Sequence, residues 1–158
     1  MASHSEKAKD LFLSGCNCAQ AVLCAFDDMT GLDNATAMRI ALSFGGGLAR
    51  MREVCGAVSG AAMVLGLLRG GCDPNNHEAK KAHYRLVQEF ARRFKEQNGS
   101  IICRELLNGV GAPGNDPEKR DSGYYKKRPC PMLVDQAAEI LDELLAETKN
   151  GSPFVEKY

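Results

Sequence analysis

The sequence shows no excess of either charge. Twenty Lys and Arg balance twenty Asp and Glu in 158 residues, so the formal net charge is zero. The basic surplus that accompanies nucleic-acid binding is missing, and no nucleic-acid partner is expected. A long apolar run is missing as well. The longest, Ala57 to Leu68, is interrupted by Ser59, Gly60 and Gly66 and falls short of the ~20 residues that span a bilayer. No membrane insertion is therefore expected. The opening stretch MASHSEKAKD has no apolar signal segment, which gives a cytoplasmic location as the expectation. Strand-type alternation over five or more residues is lacking and β-branched residues are sparse, so no sheet is expected. Neither repeats nor a low-complexity linker divide the chain. It reads as a single domain over residues 1–158, long enough to bury a core without staples.

What the sequence does have is helical periodicity. A first helix is expected over about Ser5 to Ser14, ended by Gly15. A second opens after Asn17, with Gln20 placed to complete a capping box and Ala19, Val22, Leu23 and Phe26 on one face. A third starts at Asp33 or Asn34, carries Ala37, Ile40, Ala41 and Phe44, and stops at Gly45-Gly46-Gly47. A fourth, rich in Gly and Ala, runs from near Cys55 to Leu68 and is apolar nearly all round, which marks it as central. A long amphipathic helix follows over about His77 to Gln97, its inner stripe Ala79, Ala82, Leu86, Phe90 and Phe94. A short one covers Ile101 to Leu107, and the last runs from Cys130-Pro131 to Gly151. Residues 108–128, rich in Gly, Pro, Asp and Lys, read as a surface loop. The expected fold is all-α, a compact bundle of six to seven helices around a small-residue central helix.

The chain also has seven cysteines, at positions 16, 18, 24, 55, 72, 103 and 130. In a reducing compartment so many thiols point to metal binding, a cluster or thiol redox chemistry. Free Cys is also among the most buried small side chains, which covers any one of them singly. Four fall at separate expected helix N-termini: Cys18, Cys55, Cys103 and Cys130. Unpaired N–H groups and the partial positive charge there favour thiolate, which is both nucleophile and metal ligand. No C-x-x-C occurs, so neither a zinc ribbon nor a thioredoxin motif is present.

These residues resemble a known family. The segments SGCNCAQAVLCAF (14–26), SFGGGLARMREVCGAVSGAAMVLGL (43–67), HEAKKAHYRLVQEFARRFKEQNGSIICRELL (77–107) and CPMLVDQAAEILDELL (130–145) look like the redox-active C_GCAxxG_C_C proteins. Their CGAxxG motif stands here as Cys55-Gly56-Ala57-Val58-Ser59-Gly60. The resemblance implies that Cys18, Cys55, Cys103 and Cys130 are the four family cysteines, and that Cys16, Cys24 and Cys72 are extras.

Three uses of the four cysteines follow as expectations. The first is an iron–sulfur cluster for electron transfer or redox sensing. The second is a thiol–disulfide oxidoreductase with reversible disulfides among the same residues; if the protein is an enzyme, it is of this class. The third is a structural zinc site. Gly45, Gly46 and Gly47 lack the third glycine of a nucleotide-binding loop and read as a helix stop, or as backbone lining the cysteine site. With Gly56 they are the cofactor-contact candidates. Arg50, Arg52 and Arg104 lie near the cysteines in sequence and read as surface groups that could offset thiolate charge. His77 and His83 are not at the i, i+4 spacing of paired ligands, and His4 is expected in a frayed end. Lys126-Lys127-Arg128 reads as a solvated face or as a dock for an acidic redox partner protein, and a homodimer is left open.

Overall fold

The computed structural model describes residues 2–148. Within them the chain forms nine helices: α1 His4–Leu13, α2 Cys18–Ala25, α3 Asp27–Thr30, α4 Asn34–Leu42, α5 Gly56–Arg69, α6 His77–Asn98, α7 Cys103–Leu107, α8 Ser122–Lys127 and α9 Cys130–Glu147. Among the described residues there is no strand, only one isolated bridge between Val54 and Ile102. The fold is all-α. The expected closure of the last helix at Gly151 lies outside the described residues.

Local capping fixes most of the starts. Ser3 and Glu6 form a capping box at α1, and Asn17 and Gln20 form another at α2. Asp33, Asn76 and Asp121 each accept an amide hydrogen bond at the starts of α4, α6 and α8. Gly99, in a left-handed conformation, ends α6. The two short helices α3 and α8 have too few turns to show a periodic pattern, which is why the sequence suggests fewer elements.

The core gathers around α2, all eight of whose residues are buried. Small-residue α5 packs against it, and α1 and α9 close the other sides. The contact between α5 and α2 is very close: a Cβ on Gly60 would fall 2.7 Å from the carbonyl oxygen of Ala19. The inner stripe of α9 is buried as expected at Leu133, Ala137, Ile140, Leu141 and Leu144. On α6 only Leu86, Phe90 and Phe94 are buried, because its first two turns project past the core. Ile40 departs from expectation and is 48% exposed. Helix α4 turns Ala37 and Ala41 inward and packs Met38 at the edge instead. His4 is not frayed. Its ring stacks on Phe26 at 4.1 Å and bonds to Asp28 at 3.0 Å and Asp142 at 2.7 Å, joining α1 to α3 and α9.

Between α4 and α5 the backbone does something unusual. Gly46, Gly47, Leu48, Ala49 and Arg50 all have positive φ, from 45° to 70°, as does Arg52. A left-handed conformation costs an L-residue roughly 1–2 kcal/mol. Reach-back hydrogen bonds hold the run: the amides of Arg50, Arg52 and Glu53 donate to the carbonyls of Gly45, Gly46 and Gly47 at 2.9–3.0 Å.

Candidate functional site

This left-handed turn sits against the cysteines, and the backbone explains how they meet. Residues 52–55 run beside residues 101–104. The amide of Cys103 donates to the Glu53 carbonyl at 2.6 Å, that of Arg104 to Arg52 at 3.2 Å, and that of Cys55 to Ile101 at 2.8 Å. Those bonds hold Cys55 and Cys103 side by side although 48 residues separate them. Cys18 is brought in through its cap: Asn17 Nδ2 donates to the Leu42 carbonyl at 3.0 Å, tying the start of α2 to the end of α4. Gly56 gives it room, since a Cβ there would lie 3.1 Å from the Cys18 Cβ and 2.9 Å from the Phe44 carbonyl oxygen. Gly47 does the same for Cys103, whose Cβ would be 2.7 Å from any Cβ at position 47. Cys130 enters as the first residue of α9, with Pro129 rather than Cys130 itself as the cap.

All four cysteines line one cavity of about 460 Å³. Gly45, Gly46, Gly47 and Gly56 line it too. Cys18 and Cys130 are near enough that each shifts the other's ionisation. All seven cysteines are free thiols. The extras stand apart. Cys24 is buried in the apolar core, Cys72 is exposed, and half-buried Cys16 points its sulfur at Met38 Sδ, 3.9 Å away.

Electrostatics at the four positions differ from the simple helix-dipole expectation. Only Cys130 is pulled below the usual thiol range, by the hydrogen bond with Cys18 and, against burial, by Arg128. Cys18 is pushed well up by that same bond and by burial. Burial pushes Cys55 up to about 12 against the pull of the Ala57 and Val58 amides, and raises Cys103 against Arg52. Desolvation outweighs a partial helix charge when a thiol is this buried, and at Cys103 it outweighs the nearby Arg52 as well. Among the described residues no group of three or more His, Cys, Asp or Glu side chains is placed to hold a metal ion. A zinc ion, with Zn–S near 2.3 Å, would draw four sulfurs around one point. The thiols as they stand do not form that arrangement.

Two of the three arginines that read as surface groups are part of the site. Arg50 is only 8% exposed and donates to the carbonyls of Asp116 and, at 2.9 Å, Ala112. Arg52 Nη1 lies 3.7 Å from Cys103 Sγ. Arg104 remains outside, paired with Glu53 at 2.8 Å. The larger departure concerns residues 108–128. Most of them are exposed, as a surface loop should be, but the loop also covers one side of the cavity, with Asn115, Pro117, Glu118, Arg120 and Tyr124 in its wall. Arg50 and Arg128 pin this lid through Glu118. Arg128, the end of the basic triplet, is 8% exposed and turned toward Cys130, whereas Lys126 and Lys127 are exposed. Pattern reading could not find the lid, because Arg50, which anchors it, is more than 60 residues distant in sequence.

No helix among the described residues is long and apolar enough to cross a membrane. Searches of curated proteins and of solved structures return no match. A family model described as "Putative redox-active protein (C_GCAxxG_C_C)" matches residues 16–144. That span contains all four cavity cysteines and the Cys55–Gly60 motif, and the chain belongs to this redox-active C_GCAxxG_C_C family.

Proposed function

We propose that the cavity holds an iron–sulfur cluster through Cys18, Cys55, Cys103 and Cys130, and that the protein carries or senses electrons with it. The observation that carries this reading is the meeting of four thiols from four separate elements on one cavity. A cluster ligated by four thiolates is anionic and is stabilised by nearby hydrogen-bond donors and cations. Arg52 beside Cys103 and Arg128 beside Cys130 supply the cations. Bound there, the cluster would supply one-electron chemistry. The chain's own residues would ligate it, offset its charge and shield it under the 108–128 lid. A redox partner protein is implied, with exposed Lys126 and Lys127 next to the lid as a candidate contact for an acidic one. The test is iron, acid-labile sulfide and zinc per chain after purification without air. Iron and sulfide in comparable amounts support the reading; neither, even after reconstitution, ends it.

The proximity of Cys18 and Cys130 on the cavity wall favours a second reading, a reversible disulfide between these two thiols. It requires two thiols lost and regained per chain on oxidation and reduction of iron-free protein. An unchanged thiol count would remove it.

A further inference from the structure

Two groups on the lid side of the cavity have no role in holding the cysteines. Arg120 lies over the rings of Phe12 and Tyr124, 4.7 and 5.1 Å from their centroids. Its Nη1 donates to the carbonyls of Phe12 at 3.3 Å and Cys16 at 2.8 Å. Those partners are neutral. Among the described residues Arg120 pairs with no carboxylate, and its remaining N–H groups meet no acceptor. The hydroxyl of Tyr124 likewise makes no hydrogen bond there. Burial pushes its pKa up to about 12, so it stays a proton donor at neutral pH.

The charge around them is one-sided. Arg50, Arg52, Arg120 and Arg128 line the cavity against one carboxylate, Glu118, which Arg50 and Arg128 already share. Room is left as well. A cavity of this size falls within the ordinary range of small-molecule sites.

We propose that the lid half of the cavity binds a small anion through a carboxylate or phosphate-like group, held by the free N–H groups of Arg120 and the Tyr124 hydroxyl beside the cysteines. The guanidinium fork matches either group geometrically. The inference rests on the redox reading only in making this anion the molecule presented to the cysteines. The anion site itself stands without iron.

The test uses the reduced, metal-free chain titrated with inorganic phosphate and with acetate against chloride of equal ionic strength. The expected result is a saturable rise in Tm with at least one of the two. Tyr124→Phe keeps the ring between Arg120 and Arg128 and should weaken that anion's binding about tenfold. Arg120→Gln should weaken it at least as much, and Lys126→Ala should leave it unchanged. A Tm indifferent to both anions, or undiminished affinity in Tyr124→Phe, overturns the proposal. Iron and sulfide are counted on the same proteins. Iron present without anion binding removes this site alone, and anion binding without iron removes the cluster alone.

Discussion

At the scale of single residues, the site depends on atoms that are missing as much as on those present. Gly47 has φ near +70°, and a Cβ there would meet both the Cys103 Cβ and the Glu53 amide at 2.7 Å. Gly47→Ala is expected to destabilise the protein by about 1–3 kcal/mol, through overpacking added to left-handed strain. Urea unfolding checks this, and an unchanged midpoint would show that the 46–52 turn can relax. Three of the four cysteines were legible in the sequence because each begins a segment with its own start signal, Asn17-x-x-Gln20, the small-residue run after Cys55 and Pro131 after Cys130, whereas Cys103 opens a short helix with no side-chain cap. The buried arginines were not. Arg50 is received by lid carbonyls more than 60 residues away and Arg128 by Glu118 within an irregular segment, and neither pairing follows a helical or strand period.

Among the elements, the pairing of α2 with α5 sets the distance between Cys18 and Cys55, so glycine position on α5 is diagnostic. Gly60 faces the α2 backbone at 2.7 Å, whereas a Cβ on Gly66 would meet nothing within 4 Å. Gly60→Ala should therefore cost about 1–3 kcal/mol. Gly66→Ala should instead stabilise by about 0.5–1 kcal/mol, since alanine loses less entropy in a helix and finds open space. Equal Tm values for the two variants would contradict the packing described. The long helices were readable because their apolar stripes repeat over several turns, as Leu133 to Leu144 does on α9. Helix α8 and the lid fold were not. Six residues of SGYYKK carry no periodicity, and a segment rich in Gly and Pro looks the same whether it floats or docks.

For the whole molecule, three helices are joined at His4, which opens α1 and reaches Asp28 of α3 and Asp142 of α9. Burial disfavours its charge, but the Asp142 and Asp28 carboxylates outweigh that and raise its pKa above 6.5. A raised pKa contributes stability that is fully present below the unfolded value and is lost as the pH climbs through the folded one. Asp27, held by Lys7, is the further charged group nearby. The stability lost in His4→Gln should therefore be largest at about pH 6 and shrink toward pH 8.5. Thermal unfolding of both proteins across that window checks it, and a difference independent of pH would assign His4 a stacking role only.

The central claim is that four cysteines from four elements act as one ligand set and the other three do not. The most direct measurement is iron per chain in single variants prepared without air. Serine keeps the size of cysteine but replaces a soft thiolate poorly. Cys18→Ser, Cys55→Ser, Cys103→Ser and Cys130→Ser are expected to lose most of the iron and the visible absorbance while keeping their helical content. Cys72→Ser and the core variant Cys24→Ala should keep both. Full iron in Cys55→Ser or Cys103→Ser, or its loss in Cys72→Ser, would contradict the account.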